Sequence, residues 1–311
     1  MADLFTFGEA MALFMSTDTD SVKTARNYAM SAAGAEGNVA VAAHRLGLDV
    51  YYQTKLGKDF LGDNVLAQFK AEGLETSHFL RSDNYTGTLV RNRGQEEPLD
   101  VTYLRKCAAA STFQPSDIDE EVLKNSRWLH VSGITVALSD SARDTVAHAL
   151  EIGRKHNLRI SFDLNIRRKL WSEEKASNTL RELAHDLELL TGGVDEYELV
   201  FGTKDPEENF KIAASKGIKT LIMTAGPGLM RIMHNGKRFD FQPEVVKIVD
   251  PVGSGDAFIS GTICGLLAGL ELVDAIKQGS KCGAIVASTM GDWAGMVNGV
   301  GGLLPKEVWG E

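Results

Sequence analysis

Asp250-Pro251-Val252-Gly253-Ser254-Gly255-Asp256-Ala257-Phe258 is the stretch on which the reading of this chain turns. It joins a strand-like Val245–Val249 to a long apolar segment, and its glycines let a backbone turn tightly and approach a ligand. The first amides of a helix lack partners inside the helix, so a helix starting here offers a site for an anion. Asp256 runs against that use, because a carboxylate repels a phosphate. Two readings fit it locally: a helix cap, for which aspartate is well suited, or a general base that takes a proton from an attacking alcohol. No G-x-x-x-x-G-K-[ST] occurs, and no G-x-G-x-x-G follows a strand, so P-loop and dinucleotide readings are weakened.

Outward from this turn the chain alternates helical and strand patterns. Helices are predicted at Gly37–Leu46, Leu61–Glu72, Ser141–Asn157, Glu173–Asp186, Pro206–Lys216, Asp256–Ala268 and Leu272–Met290. Between them lie short apolar runs at Val50–Lys55, Trp128–Val131, Arg159–Phe162, Glu188–Leu190 and Thr220–Met223, which suit parallel strands covered on both faces. Met11–Ala32 and Thr86–Cys107 break the rhythm as strands without helices. They predict a small separate sheet, a lid formed by about 11–32 and 86–107, on a single α/β domain spanning 1–311.

The 311 residues carry a formal charge of −9, with 43% hydrophobic and 24% charged residues. Those values suit a globular core and speak against a broad surface for nucleic acid or anionic lipid; an anionic substrate would need a local arginine cluster. Cys107, Cys264 and Cys282 lack paired spacing and are expected to be reduced. Asp3 leads straight into strand-like Leu4-Phe5-Thr6-Phe7 with no basic-then-apolar leader, so no export and a cytoplasmic location are expected. The apolar stretch Ala257–Val273 is interrupted by Ser260, Thr262 and Glu271, and reads as a buried helix, not a membrane span.

Asp250 to Phe258 resembles the C-terminal signature of the ribokinase-like (PfkB) family of carbohydrate kinases. Ala33-Gly34-Ala35-Glu36-Gly37-Asn38-Val39-Ala40 resembles its N-terminal signature, and the separation also fits. The resemblance spans nearly the whole chain. It implies a ribokinase-like three-layer α/β/α fold with a mainly parallel central sheet and a small β-sheet lid. It implies Asp256 as the catalytic base and the amides of Gly253, Ser254 and Gly255 as an anion hole for the transferring phosphoryl group. Ala33 stands where the family often has a first glycine, and Ser254 where it often has alanine; both are small changes.

Thr224-Ala225-Gly226-Pro227-Gly228 follows strand-like Leu221-Ile222-Met223. On pattern alone it is a β-turn or a ligand loop at a strand's carboxyl end. The resemblance implies an ATP site that includes Asn165, Thr224, Gly226, Gly228 and the Gly253–Gly255 turn. It also implies Mg²⁺, with Glu198 acting through water. Asp195 replaces the family's usual Asn in Asp195-Glu196-Tyr197-Glu198, a run that also reads as a solvated acidic helix start.

Tyr103-Leu104-Arg105-Lys106, His130-Val131-Ser132-Gly133-Ile134-Thr135, and Ser161 to Trp171 with its Asp163-Leu164-Asn165-Ile166-Arg167 core resemble the members of the family that act on 2-keto-3-deoxygluconate. The resemblance implies substrate contacts from Gly34, Asn38, Tyr103, Arg105, Arg167 and Asp292, and phosphorylation of the sugar acid's 6-hydroxyl. Guanidinium groups pair well with carboxylates, although exposed arginines in weak ion pairs would look the same in sequence. Leu89 stands where relatives often place an aromatic. His130 reads as a packed core histidine, not a base. The competing readings are a kinase for a neutral sugar such as fructose or ribose, and a non-catalytic sugar or nucleotide sensor. A homo-oligomer through the lid is expected, with no nucleic-acid or membrane partner.

Overall fold

The computed structural model describes residues 1–94 and 98–309. Its strands are β1 (Leu4–Phe7), β2 (Met11–Ser16), β3 (Tyr28–Ala33), β4 (Val50–Gln53), β5 (Lys55–Gly57), β6 (Leu80–Ser82), β7 (Thr88–Arg91), β8 (Val101–Leu104), β9 (Trp128–Ser132), β10 (Arg159–Asp163), β11 (Leu189–Gly193), β12 (Thr220–Thr224), β13 (Met230–His234) and β14 (Lys237–Phe241). The chain forms two units, which divide β1 between them. The first holds Met1–Phe5 and Gln114–Glu244, and the second Thr6–Phe113 and the chain from Val245 onward.

In the first unit the strand order is β14-β13-β12-β11-β10-β9-β1. Strands β9 to β12 pair in parallel. Every residue of β9 is buried, as expected where helices cover both faces. Helices Asp140–Lys155, Glu173–Leu183, Val194–Phe201 and Pro206–Ser215 fall between these strands. The first is started by Ser139, whose hydroxyl accepts the Ala142 amide at 3.0 Å, and buries Val146, Ala149, Leu150 and Ile152. His130 is buried with Nδ1 2.9 Å from Ser161 Oγ, and burial pushes its pKa down to about 3, so it is a neutral core residue.

Two local readings need correction. The strand-like Val245–Val249 is not a strand: Val245 is 77% and Ile248 52% exposed, and the amides of Val249 and Asp250 both point at the Ala287 carbonyl. An apolar run without a neighbouring strand has no ladder to join. The antiparallel hairpin β13–β14 went unpredicted although Asn235-Gly236, both at positive φ (47° and 76°), is the dipeptide that two-residue hairpin turns favour.

In the second unit β4 flanks β1. The helices of this unit include Ala35–Arg45, Phe60–Ala71, Ser254–Leu267 and Leu272–Ala287. The last two lie backbone to backbone: a Cβ on Gly261 would fall 2.9 Å from the Gly279 Cα. This packing consumes the apolar stretch that begins at Ala257. Among the described residues no helix is long and apolar enough to cross a membrane.

The small sheet has the order β3-β2-β7-β8, with β2 and β7 parallel and the other pairs antiparallel. It draws on both predicted excursions, of which residues 95–97 lie outside the described residues. Its strands alternate by side. Met11, Leu13, Ala33 and Leu89 form one buried cluster, with Val101 and Tyr103 packed against it. Leu89, opposite Tyr103 in register, is therefore a packing residue of this face. Arg91, two residues further along β7, and Arg105, two beyond Tyr103, continue the same alternation.

Candidate active site

Gly253 caps the helix Ser254–Leu267 with φ +80°, and a Cβ there would lie 3.0 Å from the Asp292 carbonyl oxygen. Both facts demand glycine. The turn closes on itself: Ser254 Oγ donates to Pro251 O at 2.7 Å, and the Ser254 amide reaches the same oxygen at 3.3 Å. The Ala257 amide donates to Gly253 O at 2.9 Å. Of the three amides assigned to an anion hole, that of Ser254 is thus partly engaged. Gly255 stands in the first helical turn, where amides lack helical acceptors, and nothing lies within 4 Å of where its side chain would be.

Asp256, one residue on, is tethered. Its Oδ2 accepts a hydrogen bond from Asn38 Nδ2 at 2.7 Å, and Asn38 Oδ1 accepts one from Trp293 Nε1 at 2.7 Å. An indole N–H only donates, so it fixes which end of the Asn38 amide faces the carboxylate. Asn38 itself is placed by the helix that begins after Gly34, whose φ of +144° and close approach to the Glu9 carbonyl again require glycine. Sequence reasoning placed Gly34 and Asn38 with Asp292 in a sugar pocket, and missed both the Asn38–Asp256 bond and Trp293.

Arg91 was missed as well. It is 1% exposed, with Nη2 2.5 Å from Asp250 Oδ2 and 3.4 Å from Asp292 Oδ1. Asp250 also accepts the amides of Val252 (3.2 Å) and Gly291 (3.0 Å), so the pair braces both the glycine turn and the 291–293 segment. Burial pushes the Asp292 pKa up to about 6, helped by the charges of Asp250 and Asp256 and opposed by Arg91. Asp292 lies 6% exposed in this brace, alongside any role toward sugar. The signal available in sequence was a charge at the buried parity of β7.

A second buried pair joins Arg105 to Glu9, 5% and 1% exposed. The Arg105 guanidinium lies 5.3 Å from the centre of the Tyr103 ring. Burial raises the Glu9 pKa and Arg105 opposes the rise. Tyr103, Arg105 and the backbone beside Gly34 thus meet around Glu9, a residue not singled out in sequence.

In the first unit, Asp163 ends β10 and accepts from Thr191 Oγ1 at 3.0 Å. Asn165 follows at φ +35°, and Arg167 is exposed. The Glu196 carboxylate accepts the Ile166 amide at 2.5 Å and the Gly193 amide at 2.7 Å, which pins this loop to the start of helix Val194–Phe201. Glu198 and Asp195 both meet Lys204, at 3.3 and 2.9 Å, and Lys204 holds the Asp195 carboxyl below its usual range. Among the described residues no group of three His, Cys, Asp or Glu could hold a metal unaided. Glu198 is half-exposed and paired with Lys204. Thr224 Oγ1 donates to Gly192 O at 3.2 Å, and Gly226 and Gly228 form the turn after β12.

The chain resembles known proteins along nearly its whole length. The chain is 34% identical to the 2-dehydro-3-deoxygluconokinase of Bacillus subtilis (strain 168) over 298 residues, 94% of this chain and 92% of that one. It is 29% identical to the 2-dehydro-3-deoxygalactonokinase of Haloferax volcanii, over 94% and 93%. The crystal structure of 2-dehydro-3-deoxygluconokinase from Thermotoga maritima superposes with a TM-score of 0.85 at 26% identity, covering 94% and 96% of the two chains. The pattern of the pfkB family carbohydrate kinases matches residues 1–297, from β1 past the tethered aspartate and the Trp293 that orients its partner, and the chain belongs to that family.

Proposed function

We propose that this protein transfers the γ-phosphoryl group of ATP to the 6-hydroxyl of 2-keto-3-deoxygluconate, also called 2-dehydro-3-deoxygluconate. The observation that carries the reading is the Asp256 carboxylate, held by Asn38 in the first turn of a glycine-capped helix. The hydroxyl oxygen bonds to the γ-phosphorus, the bond to the oxygen of departing ADP breaks, and the hydroxyl proton passes to Asp256. Amides of the Gly253–Gly255 turn oppose the charge on the phosphoryl oxygens, that of Ser254 by giving up its 3.3 Å contact with Pro251 O. Asn165, Thr224, Gly226 and Gly228 take nucleotide roles by the family's pattern, and Arg167 a substrate role. Mg²⁺ bound with ATP neutralises phosphate charge, and Glu198, beside Asp195, is the residue suited to its water shell.

The sugar acid is supported by the names of the relatives and by Tyr103 and Arg105 meeting on one face of the small sheet. A neutral sugar is the second reading, because Glu9 already balances the charge of Arg105. ADP release at saturating ATP and Mg²⁺ separates them, with 2-keto-3-deoxygluconate, its galactonate epimer, fructose and ribose assayed in parallel. The keto-deoxy acids should be turned over far faster; turnover of fructose or ribose alone would sink the sugar-acid reading.

Trp293→Phe keeps the aromatic contact with Phe69, whose ring centre is 4.9 Å away, and removes only the N–H that orients Asn38. Loss of one such bond is worth about 1 kcal/mol, so kcat should fall roughly five- to tenfold with KM little changed. An unchanged kcat would mean that Asn38 needs no orienting.

The small sheet, drawn from about 11–32 and 86–107, is read as a lid over the sugar. Its other face carries the half-buried Phe14, Met30 and Val90 and the 56% exposed Leu104, an apolar surface suited to a second copy of the chain. Light scattering should report a homo-oligomer; the mass of one chain at micromolar concentration would refute it. A cytoplasmic setting fits the need for ATP and three free cysteines.

A further inference from the structure

Arg105 and Glu9 make a neutral pair, one cation and one anion, both almost wholly out of water. The groups around them do not change that balance in favour of an incoming anion. Tyr103 stacks near the guanidinium without charge. Glu36, fully buried on helix Ala35–Arg45, and Tyr52 on β4 lie in the same neighbourhood: burial chiefly raises the Tyr52 pKa, and the nearby charges of Glu36 and Glu9 raise it further. Glu9 has little room to withdraw, since its Oε1 sits 2.5 Å from where a Cβ on Gly87 would be, at the entry to β7.

A carboxylate that binds Arg105 here would place two anions on one guanidinium. Two buried carboxylates on one cation raise the pKa of one of them, which favours its taking a proton. We propose that Glu9 is a proton-linked specificity residue: it neutralises Arg105 in the empty enzyme and takes up one proton when the carboxylate of the sugar acid binds there. This rests on the sugar-acid reading above. The proton goes from solvent to a Glu9 oxygen, the ion pair becomes a hydrogen bond, and the guanidinium charge passes to the substrate. Burial already weakens Glu9 as an acid before any ligand arrives, and Glu9 is the carboxyl in direct contact with Arg105. A neutral sugar would leave the pair as it stands.

Titration calorimetry of the full chain with 2-keto-3-deoxygluconate, without ATP, in phosphate and Tris at one pH reads the proton directly, because the buffers differ in ionisation heat. Uptake approaching one proton per sugar is expected in the native protein and in Asp256→Asn, and none in Glu9→Gln. The native Kd should weaken toward tenfold per pH unit above neutrality. Binding of the acid with no buffer dependence overturns the proposal, as does uptake that vanishes in Asp256→Asn, which would assign the proton to the base. Should Glu9→Gln fail to fold, the native titration still overturns the proposal if no proton is taken up, and uptake kept in Asp292→Asn excludes the other buried carboxyl with a raised pKa. Binding and turnover of fructose or ribose with none of the acid would instead defeat the premise, a result distinct from acid binding without a proton.

Discussion

Asp256→Asn should lower kcat by about a thousandfold while KM moves little, measured as ADP release with saturating ATP and Mg²⁺. The size follows from the contribution of a positioned general base, on the order of 10²–10⁴ in rate. The substitution isolates the proton transfer. Asn has the size of Asp and its carbonyl oxygen still accepts the Asn38 hydrogen bond that now spans 2.7 Å, so the side chain keeps its place. The helix start and its amides are untouched, which leaves phosphoryl binding in being and the residual rate above that of water. A loss of less than tenfold would mean that Asp256, which lies inside the first turn of a helix capped by Gly253, serves only as an acidic residue at the helix start.

Arg91→Met should destabilise the fold by about 3–5 kcal/mol, the range for removing one partner of a buried ion pair. Met nearly fills the volume, so the loss reports charge more than packing. Asp250 and Asp292, 0% and 5% exposed at the side chain, would lose their shared cation, so that keeping both ionised becomes costly, and the amides of Val252 and Gly291 could not replace it. The pH dependence has a defined sign. Asp292 titrates in the fold at about 6, above its ordinary 3.8, so its contribution is fully favourable below the ordinary value and is lost as pH rises through 6. Removing Arg91 takes away the one influence that lowers this pKa and so enlarges the penalty at high pH. Thermal melts should show a larger deficit at pH 8 than at pH 5. An equal deficit at both would mean that the cost is packing alone.

Much of the first unit was legible because parallel strands covered on both faces, such as Trp128–Ser132, read as unbroken apolar runs between amphipathic helices. The two glycine turns were legible for a different reason: Gly253 and Gly34 occupy backbone conformations closed to other residues, so the shape of the chain there is written into residue type. Val245–Val249 failed because apolarity names a candidate strand but not its partner, and none pairs with it.

The sequence by itself determined the α/β alternation, the small sheet, the family signatures and the aspartate at the helix start, since each depends on local pattern or on backbone freedom over a few residues. Only the tertiary structure decided which charges meet. Arg91 finds Asp250 across 159 positions and Asn38 finds Asp256 across 218. Glu9, in the connection between β1 and β2, likewise finds Arg105 just past β8. A charged residue in sequence is by default a solvated one, and becomes a brace or a proton acceptor only when folding removes its water and leaves a single partner within reach.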